Sequence, residues 1–174
     1  IPEALEGRPI QYNAPFSNIL FADEFAGWYH DKLKKNPTIT KNSPILFEQL
    51  RQIAIEFYYH WQGERGSGHH DYIQWIFKIF YNETHSGDIV DCEYFRNILT
   101  SQLANVLLYY TNFQKKTFRG KEYFTEVYQY NCDVWGLLTT YLSIFELEFK
   151  EKRDGVKHIT NKKFLLPLKN LIIE

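Results

Sequence analysis

Asp133-Val134-Trp135-Gly136-Leu137-Leu138-Thr139-Thr140-Tyr141-Leu142-Ser143-Ile144-Phe145 carries no charge after its first residue until Glu146. A surface helix shows an apolar stripe, whereas a helix apolar on nearly all sides belongs among other helices. The run therefore predicts a buried central helix spanning roughly 18 Å at ~1.5 Å per residue. Asp133 is its expected N-cap, placed to meet the free N–H groups and the positive end of the dipole. Trp135, Leu138, Leu142 and Phe145 are the expected core contacts.

Other helices flank this one. Tyr123, Phe124, Val127 and Tyr128 predict a short helix, preceded by a basic loop over 113–120. Phe95, Ile98, Leu99, Leu103, Val106, Leu107 and Tyr110 describe a long amphipathic helix. Before a polar break over 82–88, an apolar helix runs from His69-His70 to about Phe80. Ser43-Pro44 reads as a cap followed by proline at the first helical position. The helix it opens carries Leu46, Leu50, Ile53, Phe57 and Trp61 and ends at Gly63. Ile19, Leu20, Phe25, Trp28, Tyr29 and Leu33 form another periodic set, with Ser17 as its cap and Asn36-Pro37 as its stop. The first sixteen residues hold Pro2, Gly7, Pro9 and Pro15 and read as extended chain. After the central helix come a charged connection over 150–163 and an apolar terminal segment interrupted by Pro167. Neither repeats nor alternating strands stand out, so the fold class is mainly α.

The 174 residues suit one domain, and 44% hydrophobic with 24% charged residues exclude a disordered chain. Twenty Lys and Arg against 21 Asp and Glu lack the basic footprint of a general nucleic-acid binder. No run reaches the ~18–20 apolar residues of a membrane span. With no Met and Ile1 at the front, the chain reads as a fragment or a processed form. Cys92 and Cys132 lack zinc spacing and read as small buried hydrophobes, so no metal site is expected.

Gly63-Glu64-Arg65-Gly66-Ser67-Gly68 has neither Walker nor dinucleotide spacing. It reads as an interhelical turn or as an anion site, with Arg65, Ser67 and His69 as donors near a helix N-terminus. Adjacent His69 and His70 do not face one way on a helix and make poor joint metal ligands. Lys115, Lys116, Arg119 and Lys121 form a basic patch, either solvated or a dock for an acidic partner.

Asp-Val-Trp-Gly before an apolar helix resembles the start of the central helix in the large lobe of protein kinases. At the other end, Arg8-Pro9-Ile10-Gln11-Tyr12-Asn13-Ala14-Pro15-Phe16 resembles the tail of the kinase activation segment. Tyr12, Ala14 and Pro15 match that tail, and Phe16 stands where kinases carry a glutamate that pairs with a buried arginine. The ion pair is therefore absent or replaced by apolar packing. Some hundred residues separate the two motifs, far more than in ordinary kinases. The whole arrangement resembles the serine/threonine protein kinase-like family of large cytoplasmic DNA viruses.

The resemblance implies the helical large lobe of a protein-kinase-like fold, with a long helical insertion between the activation-segment tail and the central helix. Its parts would be residues 1–16 as tail, 17–130 as insertion and 131–174 as central helix and terminal segment. Arg8, Gln11, Tyr12, Ala14 and Pro15 would shape a peptide-substrate groove, while Asp133 and Trp135 would support a catalytic loop. No catalytic residue is expected on this chain, because the glycine-rich loop, Val-Ala-x-Lys, His-Arg-Asp and Asp-Phe-Gly signals are all missing from it. An amino-terminal lobe, ATP and Mg would belong to a complete active kinase. Its partner would be a protein substrate or neighbouring chain, in host cytoplasm or virion. The other reading is a non-catalytic helical scaffold or virion component derived from a kinase fold.

Overall fold

The computed structural model describes residues 14–81 and 92–140 and is mainly helical there. A 3-10 turn, Phe16–Phe21, leads into α1 (Asp23–Lys35), α2 (Leu46–Arg65), α3 (Gly68–Tyr81) and α4 (Cys92–Tyr110). A two-stranded antiparallel hairpin follows, β1 (Thr111–Asn112) and β2 (Thr117–Phe118), with Thr111 opposite Phe118. The chain then runs through α5 (Gly120–Tyr123), a π-helical turn (Phe124–Tyr128) and α6 (Gln129–Thr140) as one unbroken helix.

α2 and α4 pack on each other more extensively than any other two elements among the described residues. From α2 come Leu50, Ile53 and Phe57, and from α4 Phe95, Leu99, Leu103 and Leu107, all nearly or wholly buried. The i, i+4 spacing of the α4 set keeps those side chains on one face. Arg51 Nη2 donates to Asn97 Oδ1 at 3.0 Å across the same interface. α1 lays Phe25, Tyr29 and Leu33 against this pair. Phe25 is a hub of ring contacts, edge-on to Phe57 at 4.7 Å and to Phe118 at 5.4 Å, and stacked on Tyr29 at 5.3 Å. Such pairs add about 0.5–1.5 kcal/mol each beyond the area they bury.

Several boundaries differ from expectation. Ser17 caps nothing as an N-cap, because Pro15 starts a 3-10 turn and α1 begins only after the extended Ala22. α2 starts at Leu46, with Ser43 supplying its carbonyl to Leu46 N and its hydroxyl to Gln49 Oε1. It passes through Gly63 and stops at Arg65, where Gly66 adopts φ 81°. The expected basic loop is the hairpin, turned by Lys116 at φ 53°. Lys116 Nζ donates to Leu33 O at 3.2 Å in the last turn of α1, where the dipole favours a cation. His30 Nδ1 in turn donates to Lys116 O at 2.7 Å.

The largest difference lies at Asp133. It is the fifth residue of α6 and exposed, well inside a helix that began at Gly120, so it is not an N-cap. Two helices were expected there because the π turn interrupts the 3.6-residue period. Tyr123 and Tyr128 are both buried although five residues apart, a separation close to one π turn. Val134 and Leu137 are half-exposed, so this part of the helix has a solvent face and is not enclosed on all sides. Leu142 and Phe145 lie outside the described residues.

Candidate functional site

Ala14 and Phe16, the last residues of the tail motif, are anchored on the start of α3. His69 Nε2 donates to Ala14 O at 3.0 Å, a contact between residues 55 positions apart. Phe16 is buried with its ring 5.4 Å from His69 and 5.9 Å from Tyr58 of α2. Phe16 is therefore held by apolar packing. Pro15 sits between the two anchors, and its carbonyl accepts from Asn18 N at 3.0 Å to open the 3-10 turn. Tyr123 ties the same turn down from the opposite side by donating to Ser17 Oγ at 2.8 Å.

His69 and His70 lie side by side at the head of α3, and both are buried, at 1% and 8% exposure. Their partners differ, as adjacent helical positions require. His70 Nδ1 donates to Asp71 Oδ1 at 3.0 Å, and its ring packs between Tyr58 at 5.6 Å and Phe95 at 5.2 Å. His69 Nδ1 and His70 Nε2 are buried with no hydrogen-bond partner. With the hydrogen of His69 on Nε2, facing a carbonyl, Nδ1 holds a bare lone pair. Burial is the main reason the His69 pKa lies below the ordinary histidine value, and His70 adds to it. The neutral ring is therefore the form this site accommodates.

The three residues expected at an anion site do not converge. Arg65 lies over the Trp61 ring at 5.5 Å. Ser67 donates its hydroxyl to Asp71 Oδ2 at 2.5 Å, which puts a carboxylate beside the helix N-terminus. His69 faces inward to Ala14. In the basic patch, Lys116 is engaged at the end of α1, and Arg119 pairs with Glu122 and with the Tyr109 carbonyl. Asp133 is exposed, while Trp135 packs partly against the core with its Nε1 buried and unpartnered. Arg8, Gln11 and Tyr12 lie outside the described residues.

Tyr58 packs on Phe16 and on His70, which meets Phe95 in turn; Tyr58 was not singled out from sequence, and His70 and Phe95 were not expected to meet here. The doubled histidine at a helix start was the available signal, but it reads equally as a pair of surface donors. Among the described residues no group of three or more His, Cys, Asp or Glu is placed to hold a metal, and no helix is long and apolar enough to cross a membrane. Burial pushes the Cys132 thiol upward, and its hydrogen bond with Tyr128 partly offsets that. The chain matches no family model, no curated protein and no solved structure.

Proposed function

We propose that this chain is a non-catalytic helical scaffold that fixes where its leading segment departs, so that residues around Arg8–Asn13 engage a neighbouring protein chain. The observation that carries this reading is the double anchor: a buried histidine on the Ala14 carbonyl and a buried Phe16 ring on Tyr58. A hydrogen bond and an aromatic plug two residues apart hold the backbone at one point. Exposed Tyr59, Tyr94, Tyr109 and Tyr130 leave aromatic contact area on the outer faces of the helices.

A second reading keeps the serine/threonine kinase-like lobe, with the leading segment shaping a peptide groove. Tyr12, Ala14 and Pro15 carry that resemblance, and Phe16 departs from it, with apolar packing in place of an ion pair. The exposed, mid-helix Asp133 gives no matching support to the catalytic-loop role. A paired assay on the full-length protein separates the two readings: phosphoryl transfer from ATP and Mg to a serine peptide, and binding of that peptide. The scaffold reading expects no turnover. Turnover that falls about tenfold or more in Phe16→Ala, with the fold intact by circular dichroism, overturns it in favour of the kinase lobe.

A further inference from the structure

We infer that the His69–Ala14 contact is a proton-sensitive latch, which acid opens to free Ala14–Phe16 from α3 while the helices and the remainder of the 3-10 turn stay packed. The inference rests on the anchoring role argued above and adds to it a means of control.

The geometry supplies the sensitivity. His69 is 1% exposed, and its one hydrogen bond goes to a backbone carbonyl of the released segment. A proton added at Nδ1 creates a second N–H where the structure provides no acceptor. It also places a charge among the Phe16 ring and the neighbouring imidazole, where desolvation is costly.

The surrounding groups offer little compensation. On α3 itself, the Asp71 carboxylate is engaged by His70 Nδ1 and Ser67 Oγ. From α2, Tyr58 faces the cluster, with burial pushing its hydroxyl up to about 12, so it stays neutral. From α4 come Phe95, against His70, and Arg96, a cation near Tyr58 that lies over the Tyr59 ring at 5.5 Å. From Ala14 to Phe21 there is no ionisable side chain. The least disruptive way to admit the proton is to move Ala14–Phe16, which exposes the ring to water while Ile19 and Leu20 stay in the core and Tyr123 still holds Ser17.

The direction with pH follows from linkage. His69 binds its proton less readily when latched than when released, so the latch is fully formed above the ordinary histidine value and weakens below it. Released molecules should rise about tenfold for each pH unit below about 6.5, until the latched ring itself titrates.

Amide hydrogen exchange on the full chain tests this, following Asn18, whose N–H bonds Pro15 O, against Ala22, whose N–H bonds Ile19 O in the buried part of the turn. Rates are compared between about pH 7.5 and about pH 4.5 after correction for intrinsic exchange, with α2 amides as the internal reference. Wild type should lose protection at Asn18 on acidification, while Ala22 and α2 keep it. His69→Gln retains a donor toward Ala14 and cannot titrate, so it should hold protection at both values. Absence of protection at neutral pH overturns the anchoring reading itself. Protection in wild type that is unchanged by acid overturns the latch alone. Should His69→Gln not fold, nitrogen NMR of the wild-type ring decides: it must show Nε2–H at neutral pH and gain its second proton as protection falls. A ring still neutral after protection is lost excludes the mechanism.

Discussion

Tyr29 of α1 and Thr111 at the start of β1, 82 positions apart, meet hydroxyl to hydroxyl at 2.7 Å in the buried core. Thr111 donates its own hydroxyl back to Leu107 O, so Tyr29 is the donor of the pair. This two-bond relay closes the last turn of α4 onto α1. Burial drives the Tyr29 hydroxyl pKa far above its ordinary value, so it remains a donor.

The relay makes the two halves of the pair unequal to mutation. Tyr29→Phe removes the donor and leaves Thr111 still bonded to Leu107, for a loss of about 1 kcal/mol. Thr111→Val removes the acceptor and strands the Tyr29 hydroxyl in the core, a loss of about 1–3 kcal/mol. Urea midpoints of the two variants check the order. Equal losses would mean that Tyr29 finds another acceptor.

Gly66 and Gly63 should respond to alanine with opposite signs. At Gly66, φ 81° and ψ 175° fall in a region that essentially only glycine occupies. Nothing lies within 4 Å of an added Cβ at either glycine, so sterics from neighbours do not enter. Gly66→Ala should cost about 1–3 kcal/mol through the backbone alone. Gly63→Ala, inside α2, should gain up to about 1 kcal/mol from helix propensity. Thermal midpoints moving the same way in both would contradict the break between α2 and α3.

Asp133 gives a third test, because its two roles predict opposite shifts. As an exposed residue inside a helix, it should yield up to about 0.5 kcal/mol of stabilisation on replacement by alanine. An N-cap would instead lose about 1 kcal/mol. Asp133→Asn should change little. A denaturation series on Asp133→Ala reads the sign directly, and a clear loss would restore the cap.

The helices of the first two thirds were legible because their apolar residues repeat without interruption. Phe95, Leu99, Leu103 and Leu107 mark α4 at a strict spacing of four, and all four are buried. Leu46, Leu50, Ile53 and Phe57, at spacings of four, three and four, mark α2 and are also buried. Punctuation was harder to read. Gly63 has the look of a terminator, yet a helix tolerates one glycine, and only Gly66 carries the positive φ that stops the chain. The hairpin strands are two residues each, too short for alternation to register. Of the candidate site, Phe16 stood out only through the resemblance, with its ion pair either absent or replaced by apolar packing, and its receptor was hidden. Tyr58 and His69 come from two different helices, and nothing local in the sequence announces that both meet Phe16.

The π turn at Phe124–Tyr128 also sets the phase of everything after it. An α-helix advances about 100° per residue, so one residue more or fewer there would rotate α6 by that angle about its axis. Trp135, now turned partly into the core, and Leu137, now outward, would be carried off their present faces. Substitutions within the turn change what a position packs against, whereas a single-residue deletion re-aims the whole helix. Chain length at this one turn is therefore a steering variable: it decides which face of α6 the molecule offers to its surroundings.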